Sequence, residues 1–446
     1  MPSLLVRNAT ILTLNDRLDV VEGGVAVDDG TIRAVGPAAE GALDRFDTVI
    51  DAAQGYVLPG LVQTHVHLCQ TLFRGYADDL PLLDWLRRRV WPLEAAHTTA
   101  SLRASTRLAA AELLLTGTTS VLTMETVHDT DTVLETLSGC GLRATVGKCM
   151  MDAAADGVPG RLQEDARRSL EESLALHRRW HGAADGRLRV ALAPRFAISC
   201  TRGLLEAVAA ESAQQGLLVH THASESRDEV DAVRNLSGGL GNMSYLATLG
   251  LASPRLCAAH CVWVDEAEQG LMAEHDVKAL HCPGSNLKLG SGLAPIAELR
   301  ARNITVSLGA DGAACNNRLD MFDEMRLAAT IQAVRRRPGA LPAREVLWMA
   351  TRGGARTLGL EGAIGAIEPG CRADLIVVDR SRPHLRSAPD PYSALVYAAR
   401  GSDVRVVTVD GEVLVRDFAL TRLDADEIAV EAEEAARRLA ARAGVG

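Results

Sequence analysis

Short apolar runs alternate with longer stretches of helical periodicity through the middle of the chain, between residues 58 and 360. This alternation is typical of repeated strand–helix units whose strands form a parallel sheet. Eight of the apolar runs are candidate strands: Leu61 to His65, Ser120 to Met124, Arg143 to Lys148, Leu188 to Ala193, Leu217 to His222, Leu256 to His260, Val277 to His281, and Ile304 to Gly309. Because eight such units close on themselves, we predict an α/β fold of the (β/α)8 TIM barrel type.

The two ends of the chain carry a different pattern, with short extended runs separated by turn residues. Leu4 to Leu12 is apolar, Gly23 to Gly30 ends in an Asp-Gly turn, and Ala373 to Asp379 and Val404 to Val415 repeat this style. We expect residues 1–57 and 361–446 to form one composite β-sandwich domain beside a barrel of residues 58–360. Asp424 is a candidate N-cap for a closing helix that runs to Arg442.

Polar side chains that can take part in chemistry follow six of the eight candidate strands. They are His65 with His67, Arg195, His222, His260, His281 and Asp311. The carboxyl ends of barrel strands meet at one mouth, so residues that are distant in sequence can share one site there. The sequence therefore predicts a functional site at this end of the barrel.

Four of these residues have the character of metal ligands. His65 and His67 are two positions apart on a strand, which places both imidazoles on the same side. With His222 and Asp311 they offer three neutral nitrogens and a carboxylate, the set of a catalytic divalent site with a position left for water. Zinc is the simplest occupant and Fe(II) the alternative. The fourth strand ends at Arg195 rather than at a lysine that could bridge a second ion, so we expect one metal.

Three residues are candidates for proton transfer. Glu225 follows His222 by three positions and can carry a proton from water to a substrate ring nitrogen, unless it is an exposed loop carboxylate. His260 can orient the attacking water, or serve only as a buried structural histidine. Asp311 can both bind metal and accept the proton that the water releases.

Composition and charge exclude several other classes of protein. Hydrophobic residues make up 47% of 446 residues, and 57 acidic residues against 47 basic ones leave a net charge of -10. Such a chain can bury a large core, and its scattered basic residues favour neither nucleic acid nor an anionic membrane as partner. The sequence has no apolar stretch of bilayer-spanning length, the first seven residues lack the features of a signal peptide, and the nine cysteines show no CxxC spacing. We expect a cytoplasmic protein with buried thiols.

At the residues that carry chemistry the sequence resembles the amidohydrolase superfamily, and within it the cytosolic-type aminohydrolases. The motifs that carry the resemblance are Pro59 to His67, Thr116 to Thr119, Ala259 to Val262, Pro283 to Gly290, Gly309 to Ala313 and Gly365 to Leu375. The resemblance implies a metal-dependent deaminase in which activated water attacks an amidine-like carbon and ammonia leaves. We further expect a small-molecule substrate and a homo-oligomer, either a dimer or a tetramer. The alternative of another class is an inactive scaffold of this fold.

The segment from Thr71 to Leu82, continuing to Glu94, is similar to S-adenosylhomocysteine, methylthioadenosine and 5'-deoxyadenosine deaminases. That similarity implies an adenine nucleoside as substrate, with Glu94 accepting hydrogen bonds from the ribose hydroxyls; otherwise Glu94 is a helix-surface carboxylate. Gln70 and Arg195 depart from those enzymes and are similar to guanine deaminases, where they read the purine edge. An arginine paired with a neighbouring carboxylate is the simpler interpretation of Arg195. The alternative substrate is a free aminated heterocycle of guanine, pterin or s-triazine type.

Overall fold

The computed structural model describes residues 3–41, 46–153 and 157–445, so residues 1–2, 42–45 and 446 of the expected terminal domain lie outside it. Its strands, in chain order, are β1 (Leu4–Leu12), β2 (Val20–Asp28), β3 (Thr31–Gly36), β4 (Thr48–Asp51), β5 (Tyr56–Pro59), β6 (Leu61–Val66), β7 (Thr118–Met124), β8 (Arg143–Met150), β9 (Leu188–Pro194), β10 (Val219–Ala223), β11 (Leu256–His260), β12 (Lys278–His281), β13 (Val306–Leu308), β14 (Leu375–Val378), β15 (Val404–Val409), β16 (Glu412–Arg416) and β17 (Ala419–Leu420).

The α-helices are α1 (Leu82–Trp85), α2 (Trp91–Ala95), α3 (Thr99–Leu115), α4 (Thr130–Cys140), α5 (Ala166–Trp180), α6 (Arg202–Gln215), α7 (Arg227–Ser237), α8 (Asn242–Thr248), α9 (Glu266–Glu274), α10 (Pro283–Lys288), α11 (Ile296–Ala301), α12 (Met321–Arg335), α13 (Ala343–Ala350), α14 (Arg352–Thr357), α15 (Pro391–Ser393) and α16 (Ala425–Ala443). Shorter 3-10 turns include Leu68–Phe73, and π-helical turns occur at Leu86–Val90 and Ala394–Ala398.

Strands β6 to β13 form one parallel sheet in which each strand pairs with the next in sequence. The first and last strands also meet, because Thr64 Oγ1 donates to Leu308 O at 3.0 Å and Asp311 N donates to His65 O at 3.0 Å. All eight predicted strands overlap these strands, so the predicted barrel is confirmed as a nearly closed one.

Both faces of the barrel sheet are buried, which explains why its strands read as continuous apolar runs. Val62, Leu122 and Leu280 belong to a cluster of buried side chains from alternating strand positions. Their sequence neighbours Leu61 and Val121 belong to the main hydrophobic cluster, which also contains side chains of the surrounding helices. The strands are thus held from both sides, and their carboxyl ends are set at fixed positions.

Strands from both ends of the chain pair in a second sheet of nine strands, ordered β17-β16-β15-β14-β5-β1-β2-β3 with β4 beside β1. A composite domain built from both termini was expected, and the central pairing is antiparallel between β5 and β14. Arg143, at the start of β8, ties the barrel to this sheet through buried ion pairs with Asp374 at 2.9 Å and Asp410 at 2.6 Å.

The expected closing helix is α16, and Asp424 caps it by accepting hydrogen bonds from the backbone N–H groups of Asp426 and Glu427. Its buried Leu439 belongs to the same hydrophobic cluster as Trp85 and Trp91 of the segment after β6. The C-terminal helix therefore supports the segment that carries Glu94.

All nine cysteines fall within the described residues, and each is buried and unbridged, as expected. None of the helices in the described ranges has both the length and the apolar character required to span a bilayer.

Candidate active site

The four predicted ligands lie together at the carboxyl end of the barrel. His67 Nε2 is 3.2 Å from Asp311 Oδ1 and 3.4 Å from His222 Nε2, while His65 Nε2 is 3.3 Å from the same Asp311 oxygen. All four residues are at most 4% exposed. His65 and His222 lie on β6 and β10, and His67 and Asp311 lie in the loops that follow β6 and β13. The structure thus brings together residues that the sequence spreads over 247 positions, from 65 to 311 counted inclusively.

The second ring nitrogen of each histidine is anchored. His67 Nδ1 lies 2.7 Å from Met124 O, and His222 Nδ1 lies 2.7 Å from Arg195 O. His65 Nδ1 lies 2.7 Å from Nε2 of a further histidine, His220. With Nδ1 donating, each ring presents the Nε2 lone pair to the centre, as a neutral ligand must.

The donor set fits a divalent cation. His65, His67 and His222 each offer an atom within 4.8 Å of one another, and His65, His260 and Asp311 form a second such group. His65 Nε2 is buried without a hydrogen-bond partner among the described residues. A buried imidazole nitrogen left in this state is costly unless an ion or water satisfies it.

Asp311 is held by two donors. Ser285 Oγ donates to Oδ2 at 2.7 Å and Gly312 N donates to Oδ1 at 2.8 Å. Burial alone would raise the pKa of Asp311, but His65 and His67 keep that pKa well below its usual range. A carboxylate is also the form in which Asp311 would bind a divalent cation.

Glu225 and His260 lie against the ligand cluster. Glu225 Oε2 is 3.5 Å from His260 Nε2, which is itself 3.8 Å from Asp311 Oδ2. Glu225 is only 2% exposed, which excludes the alternative of an exposed loop carboxylate. Its Oε2 has no hydrogen-bond partner among the described residues.

The environment shifts both groups in the direction that proton transfer requires. Burial raises the pKa of Glu225 well above 4.5, and the charges of Asp311 and Glu229 add to the effect. Burial lowers the pKa of His260 to about 4. Burial therefore favours the protonated form of Glu225 and the uncharged form of His260.

Two residues that the sequence analysis did not single out set the orientation of this pair. Asn286 Oδ1 is 2.9 Å from His260 Nδ1, so a proton on Nδ1 leaves the Nε2 lone pair directed at Glu225 and Asp311. Glu229 Oε2 accepts the backbone N–H of Glu225 at 2.6 Å. Asn286 belongs to the Pro283–Gly290 motif, but only the fold shows what it contacts.

The backbone is strained at His260, at Asp311 and at Ser224, which directly precedes Glu225. Ser224, His260 and Asp311 have φ angles of 55°, 74° and 64°, in the left-handed region that residues other than glycine rarely adopt. Each such conformation costs on the order of 1–3 kcal/mol and tends to occur at functional sites. Here it turns the chain just after β10, at the end of β11 and three residues after β13, where Glu225, His260 and Asp311 lie close together.

The three predicted substrate-binding residues contact one another. Gln70 Nε2 donates to Glu94 Oε1 at 3.0 Å, and Arg195 donates to both Glu94 oxygens, at 2.5 Å and 3.1 Å. Glu94 is 3% exposed, so it is not a helix-surface carboxylate. Arg195 is thus paired with a neighbouring carboxylate, the simpler of its two interpretations, and that carboxylate belongs to Glu94, another candidate substrate residue.

This second cluster adjoins the first. Arg195 O accepts from His222 N at 3.0 Å as well as from its ring, and Gln70 N donates to His67 O at 3.1 Å. Gln70 Oε1 occupies the space beside Gly312, where an added Cβ would come within 2.1 Å of it. Glycine at 312 therefore makes room for Gln70 next to Asp311.

The family model for the amidohydrolase family matches residues 56–414 of the chain. The chain belongs to the amidohydrolase family. This amidohydrolase is 38% identical over 444 residues, 99% of each chain, to a 5'-deoxyadenosine deaminase of Methanosarcina mazei. It is 39% identical over 432 residues, 96% of this chain and 97% of the relative, to a 5-methylthioadenosine/S-adenosylhomocysteine deaminase of Moorella thermoacetica.

A solved structure of an adenosine deaminase from Xanthomonas campestris with bound zinc superposes on the amidohydrolase with a TM-score of 0.90. The two chains are 34% identical, and the match covers 98% of each. The resemblance stated from the motifs is thus confirmed at the level of the family, and the relatives cover the terminal sheet as well as the barrel.

Proposed function

We propose that this amidohydrolase is a metal-dependent hydrolytic deaminase of an adenine nucleoside, of the 5'-deoxyadenosine, methylthioadenosine or S-adenosylhomocysteine type. The observation that carries the proposal is the position of Glu225, whose buried and unpartnered oxygen lies beside His260 at the edge of the ligand cluster. A carboxyl group there can exchange protons with both water and substrate.

His65, His67, His222 and Asp311 would hold one divalent cation, for which zinc is our choice. The cation supplies Lewis-acid chemistry, since it lowers the pKa of water toward 7 and thereby provides a nucleophile at neutral pH. The anchored Nδ1 atoms keep Nε2 of the three imidazoles directed at the centre, while Ser285 and Gly312 fix the carboxylate of Asp311.

Glu225 moves the proton. Its raised pKa favours the protonated carboxyl, so Glu225 can take the first proton that the water loses and donate it to a ring nitrogen next to the carbon under attack. That protonation makes the amidine-like carbon more electrophilic. The carboxylate that remains can take up the second proton of the water from Asp311 and pass it to the departing amino group, which leaves as ammonia.

His260 and Asp311 act on the attacking water. The neutral His260 presents its Nε2 lone pair and accepts a hydrogen bond, which orients the oxygen. Asp311 Oδ2, 3.8 Å from that nitrogen, can take the second proton of the water as the carbon–oxygen bond forms.

The full-length relatives support a nucleoside as substrate, because two of them are named for 5'-deoxyadenosine and for methylthioadenosine or S-adenosylhomocysteine. Glu94 would accept hydrogen bonds from the ribose hydroxyls. To do so it must share its oxygens with Arg195 and Gln70.

A second candidate substrate is favoured by two buried atoms without partners among the described residues, Gln70 Oε1 and Arg195 Nε. One is an acceptor and the other a donor, as the N–H and C=O of a lactam require. An oxo-heterocycle that also carries an amino group, of guanine, pterin or triazine type, offers that edge. This candidate keeps the ion pair to Glu94 intact.

Ammonia release from a panel of substrates at equal concentration tests the two candidate substrate classes. The panel contains 5'-deoxyadenosine, methylthioadenosine, S-adenosylhomocysteine and adenosine on one side, and guanine, a pterin and an aminotriazine on the other. The proposal expects kcat/KM to be highest for an adenine nucleoside. Turnover of free heterocycles alone would replace it with the second candidate, and no turnover by a zinc-loaded protein would contradict both.

Three broader expectations are also part of the proposal. The division into a barrel of residues 58–360 and a terminal domain is supported by the two separate sheets. A location in the cytoplasm is supported by nine unbridged cysteines. Assembly into a homo-oligomer is best tested by sedimentation of the zinc-loaded protein.

A further inference from the structure

The imidazoles of the ligand cluster are anchored in two different ways. His67 and His222 donate to backbone carbonyls, those of Met124 and Arg195. His65 instead contacts a side chain, with His65 Nδ1 2.7 Å from His220 Nε2. A backbone carbonyl is present whatever the side chain, whereas the partner of His65 depends on one residue.

His220 is placed to contact His65 but not to bind the ion itself. It lies on β10, two positions before His222, so both rings project to the same side of the strand. Its ring is fully buried and meets His65 edge to face, with centroids 4.9 Å apart and planes at 88°. It has no place in either group of ligand atoms that could hold an ion.

The direction of the hydrogen bond follows from the metal site. A histidine that binds a cation through Nε2 carries its proton on Nδ1. His65 must therefore donate and His220 accept at Nε2, which places the proton of a neutral His220 on its own Nδ1. That atom is buried and has no hydrogen-bond partner among the described residues.

We infer that His220 is a positioning residue for the metal: it accepts the Nδ1–H of His65 and so holds the His65 ring with Nε2 directed at the cation. The inference rests on the proposed metal site but not on the proposed substrate. Partners of this kind typically contribute 10–100-fold to metal affinity, about the size of effect we expect here.

Zinc affinity of the metal-free protein, measured by competition with a chromophoric chelator, tests the inference without use of a substrate. His220→Leu removes the acceptor and should weaken zinc binding by roughly 10–100-fold. His220→Gln keeps an acceptor oxygen and should recover most of the lost affinity. Wild-type affinity in His220→Leu would overturn the inference.

His281→Leu is the matched control. His281 is also a buried barrel histidine, at the end of β12, and it was among the residues expected at the mouth. It belongs to neither group of ligand atoms, and neither of its ring nitrogens has a hydrogen-bond partner among the described residues. Its replacement should leave zinc affinity unchanged. An equal loss in His220→Leu and His281→Leu would mean that removal of any buried barrel histidine disturbs the site, which also contradicts the inference.

If His220→Leu does not fold, ring 15N–1H correlations of zinc-loaded wild-type protein decide the question. The inference requires a neutral ring, protonated at Nδ1 alone, whose signals disappear in His220→Gln. A ring protonated at Nε2 or at both nitrogens overturns it. A protein that binds zinc as expected but deaminates no adenine nucleoside refutes the proposed substrate alone, and one that binds no transition metal refutes the site itself.

Discussion

Arg195 and Glu94 form a two-point ion pair at the carboxyl end of the barrel, with Nη1 2.5 Å from Oε2 and Nη2 3.1 Å from Oε1. Gln70 adds a third donor to the same carboxylate. Because a carboxylate offers about four acceptor positions, a ribose diol must share or displace these contacts. A nucleoside would therefore require the contacts of this ion pair to be shared or displaced, whereas a free heterocycle would leave the ion pair intact.

Glu94→Gln should distinguish a nucleoside substrate from a free heterocycle. The replacement keeps the shape of the side chain but removes the charge that a ribose diol and Arg195 both use. Hydrogen bonds to a charged group contribute about 1.5–3 kcal/mol, so kcat/KM for a nucleoside should fall by at least about tenfold. The measurement is the ratio of nucleoside to free-base kcat/KM in wild type and variant. An unchanged ratio would show that Glu94 does not read the sugar.

Loss of one ligand should abolish both metal and turnover. His222→Ala or Asp311→Ala leaves three of the four donors, and the cation is then too weakly held to copurify. Elemental analysis of purified protein should find about one equivalent of transition metal in wild type and little in either variant. Full activity of wild type after exhaustive dialysis against a strong chelator would contradict the assignment.

Glu225→Gln should retain the metal, because Glu225 lies outside the ligand set. The amide cannot exchange a proton with the substrate, so kcat should fall by at least roughly 100-fold. Metal content and kcat measured on the same preparation distinguish this result from a folding defect. Near-normal kcat would place the proton transfer on another group.

His97 makes stability depend on pH. Its ring is buried between Ser101 and the Cys69 carbonyl, and burial lowers its pKa from 6.5 to about 4. Between these values the unfolded chain takes up a proton and the folded one does not, so stability is lost as pH falls from 6.5 toward 4, by on the order of 3 kcal/mol.

Urea unfolding of the metal-free protein at pH 7 and pH 4.5 measures this effect. His97→Gln removes the titrating group, so its unfolding midpoint should fall less between the two pH values than that of wild type. Equal falls in the two proteins would show that His97 is not responsible.

Arg143→Met should destabilise the junction of barrel and terminal sheet. Arg143 is nearly buried, and its loss leaves the side chains of Asp374 and Asp410, each 1% exposed, without it. Breaking a buried pair in this way costs about 3–5 kcal/mol. Arg7→Met is the control, since its pair with Asp51 is exposed and should contribute no more than about 1 kcal/mol. Comparable unfolding midpoints in the two variants would refute a special role for Arg143.

The local pattern of apolar residues was sufficient to predict the barrel. Each strand is buried on both faces, so its apolar run is visible in the sequence without any knowledge of its neighbours. The strand ends then identify His65, His67, His222 and Asp311, because parallel strands of a barrel must bring their carboxyl ends to one mouth. The same reasoning located Glu225 and His260.

Contacts between side chains from different strands were decided by the tertiary structure alone. Glu94 and Arg195 are 101 positions apart. In the sequence, Glu94 indicates a nucleoside and Arg195 a guanine-type heterocycle, and only the fold shows that the two side chains are paired. His220 has the same two-residue spacing to His222 as His65 has to His67, yet only the packed barrel shows that it meets His65. Sequence patterns indicate which face of an element is buried. The partner of a buried polar group depends instead on chain segments that are far apart in sequence, and these segments come together only when the barrel has closed.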